Sequence, residues 1–373
     1  MRAACILSVL CMALFSGCMS QVNKSAEPFR TGLAEAQRGS EMSDAELKCG
    51  KTLYHAGYED EIIICATSDD DISKMHQLYE DAAGKLDGQD FDTEEAYEEA
   101  LIKVQPKFHV IYPVTSFDEL PRGEEAYSEL VTYATTFEVQ FVRDIPDNAS
   151  EKYIRLNVVG HLPHTRVIFS GTKSEPTVVR NLMIRVSADT VIVGHLNFVH
   201  RLPASAIRAD VVRSFLARNV VIENAPEVQH AQKFAEEPLI FVHSTQSAPF
   251  DVTIEHSVFK NNGRERIFSP GDTPAPVMKS IALSDVELTE NYGGMDIFAS
   301  DSLLIDGCTV SQPKSAPAFL LRSPETGVVI RNSRLSGGVI KYSPPQNSSS
   351  ARIKPIVKTN NVEADDAEYE GWQ

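Results

Sequence analysis

Positive charge is scarce in this chain: 35 Lys and Arg stand against 52 Asp and Glu, a formal net charge of −17. Backbone phosphates demand a basic face, so nucleic acid is excluded as the main partner. Cysteine is sparse as well. The six present show no CxxC-type spacing, which leaves a zinc or thiol-redox role without its usual ligand pattern. No Ser/His/Asp order and no phosphate-binding loop stands out. The apolar run at the start, Ala3–Phe15, is too short to cross a bilayer as a permanent helix. What remains is substantial: 373 residues with 42% hydrophobic content can bury a large core. That length suits two domains, or one elongated repeat body with an appendage.

The first residues read as an export signal, with Arg2 ahead of the apolar run. The run ends in Leu14-Phe15-Ser16-Gly17-Cys18, which resembles the bacterial lipobox, with Phe15 where that motif usually has leucine. The resemblance implies cleavage after residue 17 and acylation of Cys18, hence a membrane partner reached through lipid. Met19 follows the cysteine where aspartate would signal inner-membrane retention, so the expected location is the outer membrane of the cell envelope. Residues 18–40 are polar and read as a tether. With Cys18 lipidated, Cys49 and Cys65 are the natural disulfide pair in an oxidising compartment, and Cys308 is left alone.

Residues 41–146 form an acidic α+β region. Between Glu41 and Glu99 only Lys48, Lys51, Lys74 and Lys85 are positive. Ser68-Asp69-Asp70-Asp71 suits a helix N-terminus, and Ile72, Met75, Leu78, Tyr79 and Ala82 share one helical face. A second helix is expected from about Thr93 to Val104 and a third over Glu124–Thr135. Ile62–Cys65 and Phe108–Val114 read as buried strands, with strand character again over Thr136–Val142. The unit is expected to cap the repeat body. Its aspartate clusters, Asp69–Asp71 and Asp87, Asp90 and Asp92, are read as helix capping and solvated charge in preference to a calcium loop, whose glycine would be misplaced.

From about Thr190 a pattern recurs: apolar, variable, apolar, variable, then a residue tolerant of positive φ. Aligned on Ile192, Ile222, Ile254, Leu283, Ile305 and Ile330, the residues two places on are Gly194, Asn224, His256, Asp285, Gly307 and Asn332. Ser257, Val286, Cys308 and Ser333 then precede Phe259, Leu288, Val310 and Leu335 by two places. A third strand per coil is read at Leu239–Val242, Met295–Phe298, Phe319–Leu321 and Val339–Tyr342. Spacings of this kind belong to solenoids, and Cys308 becomes a buried thiol in a column of small residues.

The run Asp251-Val252-Thr253-Ile254-Glu255-His256-Ser257-Val258-Phe259-Lys260-Asn261-Asn262 resembles repeats of the pectin-lyase-like superfamily. The resemblance covers about Tyr153 to Tyr342. It implies a mainly β fold: a right-handed parallel β-helix over 147–345, with a polar, acidic tail over 346–373.

In that superfamily the site lies along one parallel sheet, and its lyases use an arginine or lysine base, often with calcium against a uronate carboxylate. The early coils here are basic. Arg166, Lys173, Arg180, Arg185, Arg201, Arg208, Arg213 and Arg218 face only Glu175, Asp189 and Asp210. Arg180, Arg185, Arg201, Arg208, Arg213 and Arg218 are therefore the candidate ligands for an acidic polysaccharide, since guanidinium pairs well with carboxylate. Arg201-Leu202-Pro203 faintly resembles the start of the pectate-lyase Arg-x-Pro-x-x-Arg signature, but Arg208 comes too late for its second arginine. Arg352-Ile353-Lys354 is read as coincidence with a glycosidase motif. His161, His164, His195 and His200 would form a metal site only if stacked.

Two functions follow. One is a non-catalytic envelope protein binding an acidic polysaccharide or envelope partner, with no cofactor or metal. The other is a divergent lyase or hydrolase of uronate glycans, with calcium if a lyase. Convergent arginine, histidine and acid in a cleft on one sheet would speak for chemistry, and dispersal for a scaffold.

Overall fold

The computed structural model describes Cys49 and residues 61–120, 128–146, 154–159, 165–172, 175–202, 204–225, 237–245, 249–270, 278–298, 302–313, 316–322, 328–343, 357–363 and 368–370. In chain order, β1 (Glu61–Cys65) is followed by helices α1 (Asp69–Ala83) and α2 (Glu94–Val104), then β2 (Lys107–Val114), the short α3 (Ser128–Thr132) and β3 (Ala134–Phe141). Next come β4 (Ile154–Val159), β5 (Arg166–Gly171), β6 (Thr177–Arg180), the long β7 (Leu182–Gly194), β8 (Leu196–Val199), the long β9 (Ile207–Arg218), β10 (Val221–Glu223) and β11 (Ile240–His243).

Each later coil contributes three short strands. They are β12 (Phe250–Glu255), β13 (Val258–Lys260) and β14 (Arg266–Ser269); β15 (Met278–Ser284), β16 (Glu287–Thr289) and β17 (Gly294–Phe298); β18 (Ser302–Asp306), β19 (Thr309–Ser311) and β20 (Pro317–Arg322); β21 (Val328–Arg331), β22 (Arg334–Ser336) and β23 (Val339–Ser343). A last set is β24 (Val357–Thr359), β25 (Val362–Glu363) and β26 (Glu368–Glu370).

Among the described residues every strand pair is parallel, and the strands form three stacks consistent with a parallel β-helix. The first runs β1–β2–β3–β5–β7–β9–β12–β15–β18–β21–β24. The second is β6–β8–β10–β13–β16–β19–β22–β25. The third is β4–β7–β9–β11–β14–β17–β20–β23–β26. β7 and β9 belong to two stacks, turning the corner at a register shift between Ala188 and Thr190. β1, β2 and β3, from the acidic region, are thus the first rungs of the longest stack.

Alternation builds the interior. Ile254, Leu283, Ile305 and Ile330 occupy one buried column, and Phe259, Leu288, Val310 and Leu335 another. Two of the expected anchors fall elsewhere. Ile222 lies in β10, in register with Phe198 and Phe259. Ile192 pairs with Leu216, one place out of phase; the residues in line with Ile254 are Ala217 and Val193.

With those anchors the corner rule holds. Two places after each stands a residue at positive φ: His195 (55°), Asn219 (53°), His256 (50°), Asp285 (53°), Gly307 (66°) and Asn332 (54°). Asn224 (60°) belongs to a second corner, with Asn261 (54°) and Glu290 (52°). Beside that corner, buried Asn262 donates to Asn291 Oδ1 (2.9 Å), and the backbone N–H of Asn291 donates to Gln312 Oε1 (2.6 Å). Such rows satisfy turn amides that the strands leave unpaired.

α1 starts at N-cap Ser68, as its sequence indicates, and Asp71 accepts from the Ser68 hydroxyl (2.8 Å). Thr93 caps α2 by accepting from the Ala96 N–H (3.1 Å). α1 buries Met75 and Ala82, but the expected inner side chains of α2 are only half-buried and Tyr97 is exposed.

Candidate functional site

The third stack turns alternate positions outward where the basic coils lie. Ile184, Ile207 and Ile240 point into the core in one register row, so the next row, Arg185, Arg208 and Phe241, faces out. Two places further the outward row is Val159, Ser187, Asp210 and His243, on β4, β7, β9 and β11. These rows form an open groove of about 330 Å³ lined by Arg185, Ser187, Arg208, Asp210 and His243 together with Val159. A second hollow of about 140 Å³ shares Arg185 and Arg208 and adds Ser205 and Glu237.

Contacts within the groove are specific. The Arg208 guanidinium lies 4.9 Å from the centre of the Phe241 ring, a cation–π arrangement. Phe241 and His243 have ring centroids 4.9 Å apart. His243 Nδ1 is 3.9 Å from Asp210. Burial pushes the His243 imidazole below its ordinary pKa, Asp210 opposes this, and the charges of Arg208 and Arg185 add to it. Asp210 also accepts from the Thr245 N–H and hydroxyl, each at 2.8 Å, and so fixes the turn after β11. At the other hollow, Glu237 accepts from the Ser205 N–H (3.3 Å) and hydroxyl (3.4 Å).

Of the six expected arginine ligands, Arg185 and Arg208 meet. Arg213 lies at the bend of β9 and pairs with Asp189 at 3.3 Å. Arg218 pairs with Glu255 at 3.3 Å. Arg180 ends β6 in the second stack, and exposed Arg201 follows β8 there. His195 and His200 flank opposite ends of β8, so they do not gather; His161, His164 and Cys18 lie outside the described residues.

A buried brace lies behind the Ser205 side of the groove. Arg264, almost wholly buried, donates through Nη2 to the carbonyls of Leu202 (2.7 Å) and Ala204 (3.1 Å). Burial lowers it to about 10, which leaves it a cation at neutral pH. His200 Nε2 meets the same Ala204 carbonyl at 2.7 Å. Burial, opposed by that carbonyl and reinforced by Arg264, pushes His200 down to about 4, so its imidazole is neutral.

A second polar row, missed in the sequence, crosses the first rungs. His109 Nε2 lies 2.8 Å from Glu138, Ser170 donates to the same carboxylate, and Glu61 is 3.9 Å from His109 Nδ1. His109 and Glu138 are 0% exposed, so this row has no open face for a ligand. Cys49 and Cys65 are joined by a disulfide beside it, packed on Ile111. Buried Cys308 is pushed up to about 12, chiefly by burial, which makes it a poor nucleophile. Comparison with protein-family models, with curated proteins and with solved structures finds no match to this chain.

Proposed function

We propose that this protein is a lipid-anchored envelope protein of the right-handed, pectin-lyase-like β-helix class, and that it binds an acidic polysaccharide in the groove of the third stack. The observation that carries the reading is the in-register placement of Arg185 and Arg208 on neighbouring strands of an open groove. A parallel sheet with repeating outward positions suits a polymer, and two guanidinium groups suit its carboxylates. The lipobox-like Leu14–Cys18 segment supports anchoring, with Cys18 as the acylated residue.

A second reading, a lyase or hydrolase of uronate glycans, draws support from His243 and Asp210 sharing the groove with the arginines. A neutral imidazole beside a carboxylate is a competent general base. One experiment separates the readings. The protein is incubated with a panel of uronate polymers, following binding by calorimetry and unsaturated product by absorbance, with and without calcium. Binding without product, lost in Arg185→Gln/Arg208→Gln and kept in Arg213→Gln/Arg218→Gln, supports the binding protein. Product that disappears in His243→Gln supports the enzyme. Neither binding nor product sinks both.

A further inference from the structure

We propose that His243 is the third anion-binding group of the groove, and that the site takes up one proton at this imidazole as it binds the acidic group of its glycan. The proposal rests on the glycan-binding reading above and adds the residue and the proton to it.

β7, β9 and β11 are consecutive neighbours in the third stack, and each sends one nitrogen-bearing side chain outward: Arg185, Arg208 and His243. Neighbouring strands lie about 4.8 Å apart, and outward positions on one strand repeat about every 7 Å. A single anionic group between the two arginines is therefore within reach of the imidazole. All three side chains line the same groove.

The charges facing His243 can be named element by element. β9 supplies Asp210, 3.9 Å from Nδ1, and Arg208; β7 supplies Arg185 and the uncharged Ser187. β4 contributes Val159, and on β11 itself the neighbour is the Phe241 ring. On the far side, β14 ends at Ser269, opposite Phe241. Asp210 is held in place by its two bonds to Thr245, so it stays beside the imidazole in either state.

Empty, the groove opposes a proton on His243 through burial and two guanidinium charges. An anion seated against Arg185 and Arg208 offsets those charges and adds an acceptor for the imidazolium. The occupied groove therefore holds its proton more tightly than the empty one, and linkage requires binding to draw a proton from solvent. No covalent step is involved: one neutral imidazole, one solvent proton and one anion give one imidazolium–anion pair. Affinity must then rise as pH falls between the bound-state and free-state pKa values of His243, by at most tenfold per pH unit.

The test uses the full chain and a defined oligogalacturonate, whose carboxylates stay ionised from about pH 5.5 to 8. Titration calorimetry in two buffers of different ionisation enthalpy counts protons taken up on binding. The expected result is uptake of up to one proton, with affinity rising as pH falls. His243→Gln abolishes the proton uptake and flattens the pH dependence; His243→Lys, charged throughout, binds tightly without pH dependence. Binding by the natural protein with no proton uptake, or uptake that persists in His243→Gln, overturns the proposal and leaves the glycan reading standing. No binding at any pH overturns both.

Discussion

The imidazole of His109 and the carboxylate of Glu138 lie 2.8 Å apart on adjacent strands, and neither is exposed to solvent. Taking two such groups out of water is costly, and their attraction with the Ser170 hydrogen bond offsets that cost only while both partners are present. His109→Leu leaves the carboxylate buried without its imidazole partner and is expected to cost about 3–5 kcal/mol. Adding Glu138→Leu should restore much of that loss, measured by urea unfolding of both single variants and the double. Equal losses in the single and double variants would refute the coupling.

His200 makes stability fall in acid. Its pKa is depressed to about 4 in the folded chain against an ordinary 6.5, so the unfolded chain takes its proton first as pH drops. Stability is therefore full above about pH 6.5 and is lost progressively toward pH 4, by about 3 kcal/mol in all. His200→Gln keeps a donor for the Ala204 carbonyl and should flatten this part of the pH profile. Thermal unfolding at several pH values checks it; an unchanged profile would point to other groups.

The Cys49–Cys65 bond closes a loop with a sequence separation of 16. Its loss by Cys49→Ala/Cys65→Ala is expected to cost about 3 kcal/mol through loop entropy. Unfolding with and without reductant should show the same difference in the natural protein and none in the variant.

Two glycines contrast in kind. Gly307 sits at φ +66°, and an added Cβ would lie 2.3 Å from Asp285 Oδ1, the end of an exposed side chain that can swing away. Gly307→Ala should cost about 1–2 kcal/mol, mostly for the left-handed backbone. At Gly294 the Cβ would meet the Ala318 carbonyl oxygen at 2.4 Å, and backbone in the stack cannot yield cheaply. Gly294→Ala should be the more damaging change by thermal unfolding, and the reverse order would be a clear failure.

Much of the fold was legible because stacked parallel strands write their interior as a local pattern. Phe259, Leu288, Val310 and Leu335, and Ile254 through Ile330, could be aligned by eye because their coils carry short, similar connections. The early coils resisted. β7 and β9 run unbroken through a corner, so Ile192 and Ile222 look like core anchors one place or one sheet away from the true ones, Val193 and Ala217.

The groove was half legible. A cluster of arginines was visible, but only register shows that Arg185 faces Arg208 while Arg213 and Arg218 turn to acids. His243 lies 35 residues after Arg208 and carried no local signal. Its place depends on which strands stack, a long-range fact. The same holds for His109 and Glu138, polar letters on separate strands that only the stacking brings together.

The corner column has a consequence for how such a molecule can change. His195, Asn219, His256, Asp285, Gly307 and Asn332 share one backbone conformation and almost nothing else. Each corner asks for tolerance of positive φ and leaves charge, size and chemistry open. Natural variation can therefore rewrite the outer surface letter by letter, or lengthen the stacks by a whole coil, while the hydrogen-bonded spine is inherited intact. Specificity and architecture are free to evolve on separate clocks.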